Sequence, residues 1–287
     1  AHIIMAHKNP RQLERLIIKM KHSMFDLYIH LDKKTDLENF KYLEKLENVF
    51  FIRERIECNW GGYSFVRAII NSITEVFDSG KKYDFINLMS GQDYPIKSVN
   101  ELHRFLSERV GTSFISYELV DNAWWDHAVA RFKFYHFTDC KLMGRYLLQK
   151  ITNKLMPHRE FPLDLPLYGS ANSSWWILSA DAAQYLVSFI KDNSKLSRFM
   201  QFTWGADEFL ITTVIMNSPF RDKVINDNLR HVDWSRGGPH PKIFSKNDLK
   251  ILIETNKYFA RKFDIHVDSE ILDLIDESSK VPVENNY

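Results

Sequence analysis

An Asp207-Glu208 pair directly follows a Trp204-Gly205-Ala206 turn and precedes an apolar, helix-like run. Carboxylates in the first turn of a helix complement its dipole, and that alone explains such a pair. A carboxylate directed out of the turn would instead serve as a general base. Two basic clusters, His240-Pro241-Lys242 and Arg261-Lys262, could be solvated surface or could hold an anion. His7 and Asp32 each end a strand-like run, and Gly91-Gln92-Asp93-Tyr94-Pro95 reads as a turn. No GxGxxG follows a strand and no GxxxxGK[ST] occurs, so the two commonest phosphate cradles are missing. There is also no Asp-x-Asp, the pattern that holds a divalent cation against a diphosphate in many sugar-nucleotide enzymes. A diphosphate leaving group would then have to be neutralised by Lys, Arg or His.

The elements that must position these groups alternate through the first half. Strands are expected at Ile3 to Ala6, Leu27 to Leu31, Val49 to Ile52 and Phe85 to Met89. Between them run helical patterns from Pro10, with Asn9 as its N-cap, from Leu37 to Leu46, and from Val66 to Phe77. Ser98-Val99-Asn100-Glu101 has the capping-box form and opens a helix through Val110. This rhythm predicts an α/β fold with a mostly parallel, doubly wound central sheet flanked by helices. Ligands of such sheets sit beyond the carboxyl ends of the strands, which brings His7, Asp32 and the Ser90 to Asp93 loop to one rim. Farther on, Trp175 to Leu178 reads as a strand; Ala180 to Ile190, Ala206 to Met216, Asp248 to Phe263 and Ser269 to Ile275 read as helices. With no repeat and no linker rich in Gly, Pro or Ser, residues 1–287 are expected to form one domain.

Composition bounds the function class. Lys plus Arg number 38 against 37 for Asp plus Glu, so no overall field attracts nucleic acid. Cys58 and Cys140 are the sole cysteines, which argues against a disulfide framework. No apolar run reaches membrane-spanning length, and no signal-peptide pattern is seen; a cytoplasmic location is expected. Leu142, Tyr146, Leu147, Ile151 and Leu155 share a helical stretch with Lys141, Arg145, Lys150 and Lys154. That stretch is expected to pack its apolar face inward, and a helix lying on a membrane surface is the other reading.

Seven segments, in order, carry a resemblance. They are Ile4 to Lys8, Tyr28 to Lys34, Phe85 to Lys97, Tyr168-Gly169-Ser170 with Trp175-Trp176, Thr203 to Glu208, Asp233-Trp234-Ser235, and Phe259 to Asp264. Together they resemble the core-2/I-branching β-1,6-N-acetylglucosaminyltransferase family, which also includes peptide O-xylosyltransferases and plant glucuronosyltransferases. The resemblance implies a GT-A-type fold, a UDP-sugar donor, a glycan hydroxyl as acceptor, inversion, and no metal cofactor. It implies that Glu208 is the catalytic base and that Lys262 holds the diphosphate. His7, Asp32, Asp93 and Arg261 fall on the donor side. The family's second diphosphate-binding Arg has no clean match here, and His240 or Lys242 takes its place. Trp234 falls on the acceptor side, with Asp207, Arg131 and Lys133. N-acetylglucosamine is the expected sugar, xylose the alternative. A polysaccharide or lipid-linked oligosaccharide is the expected acceptor, with weak peripheral contact at the inner face of a bacterial membrane. A glycoside hydrolase, which needs two facing carboxylates, and a carbohydrate-binding protein without turnover are the rival readings.

Overall fold

The computed structural model describes residues 1–118 and 123–279. Its ten strands are β1 His2–Ala6, β2 Leu27–Leu31, β3 Val49–Phe51, β4 Phe85–Ser90, β5 Asp93–Pro95, β6 Ser113–Phe114, β7 Trp176–Ser179, β8 Val224–Ile225, β9 Arg230–Val232 and β10 Phe259–Arg261. Seven form the main sheet in the order β3-β2-β1-β4-β7-β6-β8. The first four of these run parallel, while β7 is antiparallel to both β4 and β6. The mixed α/β architecture is therefore the expected class. Parallel strands buried on both faces need near-continuous apolar residues, and β1, β2 and β4 are buried throughout.

The two faces of the sheet feed two core clusters, because successive side chains of a strand point opposite ways. Ile3, Met5, Ile86, Leu88, Trp176 and Leu178 face one cluster; Ile4, Ala6, Ile29, Met89 and Ile177 face the other. The first cluster packs against α2 Tyr63–Asp78, α6 Ala180–Asp192, α7 Ser194–Met200 and α8 Leu210–Met216. The second packs against α1 Pro10–Lys19, α3 Val99–Ser107, α9 Leu249–Glu254 and α10 Glu270–Ser278. Two helices lie in the connection between β6 and β7: α4 Ala123–Lys133, which joins the first cluster through Trp125, Ala128 and Phe132, and α5 Arg145–Leu155. Register puts Ala6 opposite Leu31 and Met5 opposite Ser90, so His7, Asp32 and Gly91 leave the sheet along one edge.

Five local expectations are corrected. Asn9 precedes Pro10 as an N-cap does, but it adopts φ 54° and its side chain caps nothing; its amide donates to Asp264 instead, at 3.1 Å. The Ser98–Glu101 capping box is formed, yet its helix ends at Ser107. Leu37 to Leu46 gives only a short 3₁₀ turn at Lys41–Lys45. The helix expected from Asp248 to Phe263 stops at Glu254, and Phe259–Arg261 becomes β10. There β10 lies between β5, antiparallel, and β9, parallel, in a three-stranded second sheet. Ladder bonds and the complete burial of Phe259 and Ala260 outweigh local helix preference. The same pairing makes Asp93–Pro95 a strand where a turn is expected.

Candidate active site

A cleft of about 920 Å³ opens along the carboxyl edge of β1, β2 and β4. His7, Lys8, Asp32, Ser90, Asn172, Trp175, Trp204, Asp207, Glu208, Trp234, His240, Arg261 and Lys262 all line it. Residues more than 250 positions apart in the sequence are thus brought together, which is the outcome the strand register dictates.

The acidic side is built on a break. The run from Ala206 is not one helix: Ala206–Glu208 is a 3₁₀ turn, and α8 begins only at Leu210. Between them Phe209 departs to φ −145°, ψ −30°. Asp207 and Glu208 therefore do not cap α8; they line the cleft. Gly169 makes the approach of the neighbouring chain feasible. A Cβ there would lie 2.5 Å from the Glu208 carbonyl oxygen, to which Ser170 N donates at 3.1 Å. Ser174 Oγ donates to Asp207 Oδ2 at 2.7 Å.

Burial pushes the Glu208 carboxyl up to about 7, and the neighbouring Asp207 charge adds to the rise. The Arg131 guanidinium opposes both by its charge and by donating a hydrogen bond to Glu208 Oε2. Arg131 is held on α4 between the rings of Trp204, 4.7 Å away, and Trp124, 5.3 Å away. A carboxyl poised near neutrality suits a general base. Arg131 favours the ionised form, so Arg131→Met is expected to raise the Glu208 pKa above 7. The acid limb of the pH dependence of kcat/KM then moves to higher pH; an unmoved limb would remove Arg131 from the control of Glu208.

The cationic side gathers around Lys262. In Lys262-Phe263-Asp264 each residue has a separate task. Phe263 is 1% exposed in the core, Asp264 accepts from Lys8 Nζ at 2.6 Å, and Lys262 lines the cleft. Among the described residues Lys262 makes no ion pair. Burial lowers its pKa, and the charges of Arg261 and Lys8 lower it further. His7 is lowered by burial and by Lys8, and His240 by burial and by Lys262. Lys262 and Arg261 thus carry the charge of an anion receptor in this recess, and His7 and His240, with their pKa lowered, stand beside them as neutral hydrogen-bonding groups. Arg261 lies over the Trp175 ring at 4.7 Å and donates to Asp93 Oδ1 at 2.9 Å.

Four sequence-based assignments, Asp93, Lys242, Lys133 and Arg131, do not line the cleft. Asp93 is 1% exposed and sits between Arg230 and Arg261, so it positions Arg261 from beneath the cleft and does not line it. Lys242 is drawn away by Asp248 at 2.5 Å and Asp233 at 3.8 Å, leaving His240 as the basic member of its cluster on the cleft. Lys133 is exposed at the end of α4 and lines no part of the site, while Arg131 acts behind Glu208. Trp60 was missed: it is 62% exposed on the rim, 5.0 Å from Trp204 and 5.5 Å from His240. The Gly61-Gly62 pair beside it was the available signal, since a Cβ on Gly61 would overlap the Trp204 ring at 2.3 Å.

Asp32 is buried, and its two oxygens accept from Lys34 N at 2.8 Å and Cys58 N at 3.2 Å. It therefore ties the Cys58 to Gly61 rim to β2 as well as lining the cleft. Asp32→Ala is expected to weaken binding of UDP by about 1–3 kcal/mol, with a smaller effect on the bound complex. Unchanged affinity in calorimetry would leave Asp32 as a structural tie alone.

A family model described as core-2/I-branching enzyme matches residues 1–255. The chain belongs to the core-2/I-branching enzyme family. It is thus a member of a glycosyltransferase family, and curated relatives agree. Xylosyltransferase 2 of Rattus norvegicus is 26% identical over 302 residues, covering 96% of this chain and 33% of that protein. Xylosyltransferase 2 of Homo sapiens is 26% identical over 299 residues, with the same coverages of 96% and 33%. The chain spans about a third of the length of these relatives. Among solved structures, mouse xyloside xylosyltransferase 1 aligns at TM-score 0.42 and 13% identity, over 90% of this chain and 96% of that one. The galactosyltransferase LgtC aligns at TM-score 0.42 and 9% identity, over 99% and 98%.

Proposed function

We propose that this chain transfers a sugar from a UDP-sugar to a glycan hydroxyl by a single inverting displacement that uses no metal ion. The carrying observation is that Glu208, with its carboxyl near neutrality, and the cationic group centred on Lys262 line the same cleft. Glu208 removes the proton of the acceptor hydroxyl as that oxygen bonds to the anomeric carbon. The bond from that carbon to the diphosphate oxygen breaks, and the electron pair leaves with UDP. Lys262 and Arg261 meet the growing negative charge, with His7 and His240 beside them. Trp234, whose Nε1 donates to Asn172 at 2.9 Å, offers an aromatic face to the acceptor. Asp207 and Glu208 are adjacent on one turn, not facing carboxylates of the glycosidase kind. N-acetylglucosamine is the sugar of the family's branching members and xylose that of the relatives above; a polysaccharide or lipid-linked oligosaccharide is the acceptor.

The test is a screen of UDP-sugars for slow release of UDP, run with and without EDTA. One UDP-sugar is expected to turn over, and its rate is expected to survive EDTA without added Mn²⁺ or Mg²⁺. Activity abolished by EDTA and restored by Mn²⁺ would falsify the metal-free mechanism. Release of free sugar from a glycoside with no need of UDP would replace transfer by hydrolysis.

A further inference from the structure

The helix α5 is built inside out. Its polar residues at four-residue spacing face the protein: Arg145 donates to the Thr138 and Cys140 carbonyls at 3.1 and 2.9 Å. Gln149 Oε1 accepts from Phe137 N at 2.9 Å, and Asn153 Oδ1 accepts from Tyr135 N at 2.7 Å. No residue of the helix is buried. Tyr146, Leu147, Ile151 and Leu155 are 65%, 65%, 47% and 75% exposed. The expectation that this stretch packs its apolar face inward is therefore overturned. The backbone polar groups of the loop before the helix bond to the inward side chains of α5, which leaves the apolar face to solvent. An outward apolar face of this extent on a helix marks a binding surface.

Charge decides what covers it. From Cys140 to His158 the sequence holds Lys141, Arg145, Lys150 and Lys154 and no acidic residue, in a chain whose formal net charge is +1. Lys150 and Lys154 are exposed alongside the apolar face, while Lys141 is paired with Glu57 at 2.6 Å. A second copy would set this cationic face against itself. Aliphatic side chains, a tyrosine and flanking lysines on one helix are instead the pattern of a helix lying in the lipid interface. We propose that α5 docks the protein on an anionic lipid surface, with Leu147, Ile151 and Leu155 entering the acyl boundary and Lys150 and Lys154 meeting the headgroups. The docked face is coupled to the rim of the cleft. Asp139, just before it, accepts from Ser64 N at 2.7 Å and Asn59 Nδ2 at 3.0 Å, and Asn59 lines the cleft. Docking would thus hold the cleft beside the membrane, where a lipid-linked acceptor is presented.

The test is co-sedimentation of the whole chain with phosphatidylcholine vesicles, with and without phosphatidylglycerol. It needs neither donor nor acceptor, so its result is separate from that of the transfer reaction. Binding is expected only with the anionic lipid and is expected to fall with salt. Lys150→Gln and Lys154→Gln should each lower partition about fivefold, and Leu147→Ser or Ile151→Ser about tenfold. All four side chains are exposed, so circular dichroism should show the variants folded. Absence of binding, or equal binding by wild type and variants, would overturn the proposal. So would a concentration-dependent dimer that Leu147→Ser disrupts without any vesicle binding, or binding of an acidic protein by this face in its place.

Discussion

Glu208→Gln is expected to lower turnover by about 10²- to 10⁴-fold, the usual contribution of a general base, while leaving UDP affinity nearly unchanged. Glutamine keeps the size and the hydrogen-bonding oxygen that Arg131 uses, so the turn at Ala206–Glu208 should persist. The amide cannot accept the proton of an attacking hydroxyl. The measurement is kcat with the preferred UDP-sugar, alongside calorimetry with UDP. A variant that keeps more than about a third of the wild-type rate would place the base elsewhere. Asp207→Asn would then be the next substitution to test. Wild-type rates should also fall as pH drops through about 7, where burial holds the Glu208 carboxyl. The sign follows from the role: only the ionised carboxylate takes up a proton, and a raised pKa carries the loss of that form to higher pH.

Lys262→Ala is expected to cost both donor affinity and rate, because the charge that this ammonium meets grows as UDP departs. Among the described residues no carboxylate pairs with Lys262, and Arg261 and Lys8 already press its pKa down. Removing it therefore leaves no stranded partner, and the loss reports on the ligand. One charge-assisted contact of about 1.5–3 kcal/mol predicts a loss of roughly ten- to a hundredfold in kcat/KM. Steady-state kinetics with calorimetry separates the two components. A loss confined to affinity would make Lys262 a ground-state contact and move the leaving-group role to Arg261 and His240, which line the cleft with it.

The family assignment, the parallel strands and the rim they create were legible from the sequence, since each depends on local runs. Leu27–Leu31 and Phe85–Ser90 are fully buried, mostly apolar strands whose first residue after the sheet follows directly from their length. The Ser98 capping box is likewise complete within four residues. What the sequence could not show are pairings made across long separations. Arg131 reaches Glu208 over 77 residues, and Arg261 reaches Asp93 over 168, so neither the pairing of Glu208 nor the withdrawal of Asp93 from the cleft has a local trace.

The remaining differences have the same cause acting on backbone. Phe259–Arg261 lies in a helix-like run, but ladders to β5 and β9 make it a strand. The 145–155 stretch has the apolar period of an inward-packed helix, yet that period cannot tell which side faces the protein. Hydrogen bonds that Arg145 donates to the 135–140 loop, and that Gln149 and Asn153 accept from it, decide it, and they exist only once the chain has brought that loop beneath the helix. Sequence alone therefore determined which groups stand at the cleft edge by virtue of strand length. Tertiary structure decided which of them face the ligand, because burial and charge pairing depend on neighbours that folding alone supplies.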